Sequence, residues 1–189
     1  MGVARTPREA WIEQGLRTLT SSGVEAVRIE VLAKGLGVTK GGFYGYFADR
    51  KALLEAMLDT WERESVAEVV AHVAHERDPR NKVLLASGLP GWERRLAVDL
   101  AVREWARRDE AVAVRLRRVD EQRMEWLREM IGGFCADPAE VEARALLAFC
   151  LATGNQLLAA EPKGRTRDEV VARAAAIVLE AHDESSPRA

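Results

Sequence analysis

Residues 28–54 read RIEVLAKGLGVTKGGFYGYFADRKALL, and this stretch constrains the fold more than any other. Ile29, Leu32, Ala33 and Leu36 recur at helical spacing, which predicts a short helix over about 28–35. Gly37 supplies a left-handed stop, and Val38 packs back. Thr39 is placed to cap a second helix over about 39–45. Phe43 and Phe47 stand four apart and so share one inward face. Lys40, Tyr44 and Tyr46 are then left to point outward. Two short helices at a tight joint, the second with a polar outer face, form a helix-turn-helix, whose second helix enters the DNA major groove.

The same residues carry a family resemblance. Leu32-Ala33, Leu36, Gly37-Val38-Thr39, Lys40, Gly41, Gly42, Phe43, Tyr44, Gly45, Tyr46, Phe47 and Arg50 follow one another in the order of the N-terminal motif of the tetracycline-repressor (TetR) family. The match extends upstream to Arg8, Trp11, Ile12, Gly15, Leu19 and Gly23, and downstream to Leu53 and Leu54. The chain resembles that family over roughly a third of its length by specific motif, and beyond it only in length and helical pattern. Three positions depart from the motif. Gly42 and Gly45 stand where a polar and a larger side chain are usual, and Arg28 stands where the preceding helix usually has a Ser or Thr cap. An interior glycine costs a helix about 1 kcal/mol against alanine. Packing of Phe43 and Phe47 must therefore hold the second helix, and few side chains remain to read bases.

The resemblance implies an all-α protein of about nine helices. A three-helix helix-turn-helix domain over 1–50 would be followed by a helical effector-binding and dimerisation domain over 51–189. Periodicity agrees with that division. The first helix is expected from Pro7 to about Ser21, with Trp11, Ile12, Gly15, Leu16 and Leu19 inside and Gly23 as the stop. Asp49 can cap a long helix reaching to about His75, the expected mechanical link between the domains. Pro79, Gly88, Pro90 and Gly91 bracket a short helix. Further helices are expected over about 92–107, 109–131, 137–160 and 166–182. No β pattern and no internal repeat is evident.

Composition narrows the function. Hydrophobic residues make up 48% of the 189, enough for a sizeable core. The net charge is −2 and the pI about 6.0, so the surface is not generally basic. Duplex binding depends on local phosphate contacts instead, and residues 1–51 hold eight Lys or Arg against five Asp or Glu. Cys135 and Cys150 lie in apolar surroundings and read as buried thiols of a reducing compartment. No signal segment or membrane span is visible, which predicts a cytoplasmic protein.

The expected DNA contacts are Arg28, Thr39, Lys40, Gly41, Gly42, Tyr44, Tyr46, Arg50 and Lys51. Thr39 offers a hydroxyl to a phosphate. Lys40 projects from the first turn and can donate to O6 or N7 of a guanine. The tyrosines offer hydroxyls to phosphates and rings to thymine methyls. Arg50 takes the position where the resembled family usually has a phosphate-binding Lys, with Lys51 beside it; the alternative is a solvated helix end. Arg28 cannot cap but can reach a phosphate.

Residues 143–160 are apolar nearly all round and need cover on every side. The last helix is alanine-rich, which allows close approach. A symmetric four-helix contact with a second copy would cover both, placing Ala145, Ala148, Phe149, Ala152, Val171, Ala174, Ala175 and Val178 at a homodimer interface; burial within one chain is the alternative. A dimer would match a palindromic operator. The effector pocket is expected among the central helices. Its candidate lining is Trp61, Trp92, Leu96, Leu100, Trp105, Leu116, Val119 and Trp126, with Asp120 and Arg123 able to pair at a spacing of three and Arg103 able to join them. These residues can equally be plain core and a structural ion pair.

Neither a catalytic motif nor a cofactor motif is present. His72, His75 and Glu76 have a spacing a metal could use, but no further ligand is placed, and no metal site is assigned. The reading is a ligand-controlled DNA-binding regulator rather than an enzyme, most simply a repressor released by a small, mostly apolar effector. The competing reading is a helical enzyme or adaptor that uses the C-terminal part alone.

Overall fold

The computed structural model describes residues 6–180, all helix and connection, with no strand among them. Nine α-helices follow in order among the described residues: α1 Arg8–Ser22, α2 Ile29–Leu36, α3 Arg50–Ser65, α4 Ala67–His72, α5 Pro79–Ser87, α6 Trp92–Ala106, α7 Glu110–Gly132, α8 Pro138–Gly154 and α9 Arg167–Leu179. Short 3-10 turns occupy Val24–Ala26, Lys40–Gly45 and Asn155–Leu157. Two compact units result. One takes in the chain up to Glu68 together with Gly91–Val119; the other takes in Val69–Pro90 and the chain from Asp120 onward.

In the first unit, α1 buries Trp11, Ile12, Gly15, Leu16 and Leu19, as its periodicity predicts, and stops at Gly23, whose φ of 76° suits a residue without Cβ. Gly15 has a second role. A Cβ there would lie 2.6 Å from the sulfur of Met57, so any larger residue would force this side chain of α3 to shift. Asp49 caps α3 by accepting from the Ala52 amide at 2.8 Å. Trp11, Phe43, Phe47, Leu53, Met57 and Trp61 join Val98, Val102, Val112 and Val119 in one buried cluster.

Arginines from α6 and α7 then grip α3. Arg94 bonds Glu64 at 2.8 Å and pairs with Glu13 of α1. Arg115 meets Glu55 at 2.8 Å and also pairs with Asp59 and Glu62, three carboxylates on successive turns of α3. Partly exposed pairs of this kind contribute little stability individually, about 0–1 kcal/mol, but together they set how α7 registers on α3.

The helix from Asp49 is shorter than its sequence suggests. At Val66 the backbone turns out of helix (φ −130°, ψ −65°), and α4 resumes at Ala67. The chain passes between the two units at 68–69, 90–91 and, within α7, at 119–120. No proline or glycine marks this break, which is why periodicity ran through it.

The second unit packs around Leu127, Ile131 and Ala145, with Val83, Trp126, Phe134, Val141, Ala148 and Phe149 against them. Asp137 caps α8 through the Ala139 amide at 3.0 Å, and Thr166 and Glu169 form a reciprocal capping box on α9. The helix expected to reach Ala160 ends at Gly154, followed by the short 3-10 turn. The far end of α9 is closed by arginines. Arg144 donates to the carbonyls of Val178 and Glu180 at 2.6 and 2.5 Å, and Arg80 to that of Leu179 at 3.0 Å. Arg80 also lies over the Phe134 ring at 4.0 Å. Both cysteines are free thiols: Cys135, in the loop after α7, packs half-buried against this core, and Cys150 is exposed on α8. No helix among the described residues is long and apolar enough to cross a membrane.

Candidate DNA-binding site

The joint between α2 and the following turn is built as the sequence predicts. Gly37 adopts the left-handed conformation (φ 67°, ψ 29°) and the Val38 amide returns to the Ala33 carbonyl at 3.0 Å, which closes α2. The recognition segment differs from expectation. Lys40–Gly45 is a 3-10 helix, not an α-helix, with bonds from the Gly42 amide to Thr39 and from the Tyr46 amide to Phe43. Three glycines within six residues remove the propensity that would sustain α-helix, so the tighter turn with few bonds prevails. Thr39 stands at the first position, but its side chain makes no capping bond. The residue is exposed.

What anchors this segment is aromatic. Phe43 is completely buried and meets Trp11 edge-on (5.4 Å, 76°), Tyr44 edge-on (5.4 Å, 89°) and Phe47 in a stacked arrangement (5.3 Å, 30°). Arg8 lies over the Phe47 ring at 5.1 Å. With the phenylalanines turned inward, Thr39, Lys40, Gly41 and Tyr44 are presented outward; Tyr44 is 60% exposed. Tyr46, expected outside, is half-buried against the core, and Gly42 is half-buried beside Trp11.

The cations around this edge have different partners. Lys40 is exposed and bonds Glu30 at 2.7 Å, bridging the recognition turn to the first turn of α2. This hydrogen bond, with Lys40's charge, holds the Glu30 carboxyl below its ordinary value. Lys51 is exposed. Arg28 is exposed and donates to the Glu25 carbonyl at 3.1 Å. Arg50 has a structural task the motif does not reveal: it donates to the carbonyls of Val27 and Val24, both at 2.6 Å. It thereby pins the α1–α2 connection to the start of α3.

The other candidate residues fall into separate environments. Trp61, Leu96, Trp105 and Val119 are buried core of the first unit, with Leu116 packed against them; Trp92 and Leu100 are half-buried. Trp126 belongs to the core of the second unit, where Arg123 meets Asp120 at 3.4 Å. Arg103 bonds Asp99 at 2.9 Å. Asp99, only 2% exposed, also accepts from the Trp61 indole at 3.1 Å. The sequence reading overlooks this carboxylate. Its signal was a charge on the inner stripe of α6, between Leu96 and Val102.

Of the expected interface residues, Ala145 is wholly buried within its own unit, and Ala148, Phe149, Ala152, Val171, Ala174, Ala175 and Val178 are half-buried. Leu146 and Leu147 of α8 and Ile177 of α9 are each more than half exposed, and Cys150 of α8 is exposed too. Among the described residues no three His, Cys, Asp or Glu side chains converge as metal ligands; His182 lies outside those residues.

An all-helical chain with a glycine-jointed helix-turn-helix and an exposed polar recognition turn defines a DNA-binding regulator class. Residues 12–57 match the profile of the bacterial regulatory proteins of the tetR family. The N-terminal domain therefore matches that family's N-terminal module over these residues. Among curated proteins none matches the sequence.

Solved structures share the fold along nearly the whole chain. A transcriptional regulator from Saccharomonospora viridis in complex with choline has a TM-score of 0.71 at 17% identity, covering 88% of this chain and 92% of its own. A transcriptional regulator from Rhodococcus sp. Rha1 has a TM-score of 0.71 at 23% identity, covering 92% and 94%. AibR in complex with isovaleryl coenzyme A and operator DNA has a TM-score of 0.64 at 17% identity, covering 90% and 97%.

Proposed function

We propose that this protein is a ligand-controlled homodimeric repressor, released from a palindromic operator by a small, mostly apolar effector. The exposed edge of the recognition turn carries the reading: phenylalanines face inward while Thr39, Lys40 and Tyr44 face outward. In this reading residues 1–50 bind DNA and 51–189 bind the effector and the second copy. Lys40 reads a base edge, and Thr39, Tyr44, Lys51 and Arg28 contact phosphates, with Gly41 and Gly42 allowing the backbone to approach. Arg50 and Tyr46 act chiefly by holding the domain together. No catalytic role is assigned to any residue. Selection of bound sequences from random duplexes tests the reading directly. Recovery of one motif repeated in inverted orientation is expected; selection of no sequence would reject it.

Assembly follows from α8 and α9. Leu146, Leu147 and Ile177 leave an apolar surface that a second copy would bury, with the half-buried alanines giving close approach. Leu147→Glu is expected to convert a dimer to a folded monomer, read by sedimentation with helical circular dichroism retained. A wild type that sediments as a monomer at micromolar concentration would exclude the interface.

The proposed effector walls are Trp61, Trp92, Leu96, Leu100, Trp105, Leu116 and Val119 of the first unit; Asp120, Arg123 and Trp126 belong to the second. A mostly apolar ligand suits them. The choline and isovaleryl coenzyme A complexes show that regulators of this fold accept small organic molecules. Binding is expected to quench tryptophan fluorescence and weaken operator affinity by about 1–3 kcal/mol. Linkage requires operator DNA to weaken ligand binding by the same factor. Equal ligand affinity with and without operator would separate the ligand site from DNA control.

A further inference from the structure

The exposed edge of the recognition turn is not left with a free cation. Lys40, its only basic side chain, is held by Glu30 of α2 at 2.7 Å, across ten positions of sequence. Both side chains are more than half exposed, so this is a surface pair and not a buried lock. Such pairs are worth about 0–1 kcal/mol, weak enough to exchange. Arg28, near Glu30 in sequence, also favours the carboxylate form. The carboxylate sits in the first turn of α2, where the helix dipole stabilises it as well. The helix start still favours the Glu30 carboxylate when Lys40 leaves it.

This geometry sets up a competition. A phosphate offers Lys40 one anion in exchange for another. A guanine edge offers two acceptors, O6 and N7, in a fixed arrangement. Nonspecific DNA attracts cations through phosphates and counterion release, each neutralised phosphate contributing about 0.9 to the salt slope. A lysine already neutralised by its own protein contributes little to that term.

We propose that Glu30 is a specificity-determining positioning residue. As an internal anion it occupies Lys40 on nonspecific DNA and gives it up only to a matching base edge. The inference rests on the DNA-binding reading of the recognition turn. It extends that reading by assigning the discrimination between sequences to a carboxylate that itself contacts no DNA.

The test measures salt-dependent binding of the full-length protein to its selected operator and to an unrelated duplex. It compares wild type, Glu30→Gln, Lys40→Ala and the double variant. Glu30→Gln is expected to raise affinity for the unrelated duplex about three- to fivefold per protomer and to steepen its salt slope by about one unit per protomer. Operator affinity should rise less, so the specificity ratio falls. In the Lys40→Ala background the same change should have no effect on slope or ratio, because Glu30 acts only through Lys40.

An effect of Glu30→Gln that persists without Lys40 would mean simple repulsion of phosphates, and the proposal would be wrong. Loss of operator affinity on Glu30→Gln would make Glu30 a direct base contact and equally overturn it. An unchanged slope and ratio would do the same while leaving the regulator reading intact. A wild type that binds no duplex would remove both.

Discussion

Phe43→Ala is expected to destabilise the N-terminal part of the protein by about 3–5 kcal/mol and to abolish sequence-specific DNA binding. Few single positions support so much. The ring is fully buried and contacts Trp11, Tyr44 and Phe47. The segment that carries it is a 3-10 turn rich in glycine, with no side-chain cap at its start. Helix propensity cannot compensate, and the loss of the ring leaves a cavity beside Trp11. The Trp11 indole N–H has no hydrogen-bond partner, so that ring is held by packing alone. Urea unfolding followed by tryptophan fluorescence gives the stability change, and operator binding gives the functional one. A variant that unfolds at the wild-type midpoint would show that the turn is held by something other than this ring. Phe43→Leu should recover part of the stability, since it fills much of the cavity.

Arg144→Met is expected to cost about 3–5 kcal/mol, the usual result of removing one partner from a buried charged cluster. Arg144 is 7% exposed. It donates to two terminal carbonyls of the α9 end and to Glu140 at 2.6–2.8 Å. Methionine fills the volume but satisfies none of these acceptors. The last turn of α9 should lose amide-exchange protection first, and dimer assembly should weaken with it, since α9 carries half of the proposed interface. Protection of that turn equal to wild type would exclude the capping role. The contrast with the exposed pairs of Arg128 and Glu142 is useful: there the same chemistry is solvated, and substitution should matter far less.

Much of this protein was legible because local chemistry and tertiary structure agree. Gly23 and Gly37 stop their helices with positive φ, and Asp49, Asp137 and Thr166 cap theirs with side-chain oxygens. Those outcomes need only a few neighbouring residues. The inward Phe43 and Phe47 follow from spacing alone, and so does the Asp120–Arg123 pair. The errors share another cause. The helix from Asp49 breaks at Val66 without any breaker residue, and the recognition segment tightens to 3-10 where glycines leave packing in control. Tyr46 is half-buried against the core of its unit, and Ala145 is wholly buried in its own.

The sequence by itself determined the helical architecture, the joint at Gly37 and the outward polar edge of the recognition turn, because these depend on contacts within about one or two turns. Tertiary structure alone decided who pairs with whom. Arg50 is spent on two carbonyls of the preceding connection, Asp99 is buried between Trp61 and Arg103, and Lys40 is held by Glu30. Long charged side chains have many rotamers and many acceptors within reach, so their partners are set by which helices the packing of the core brings beside them.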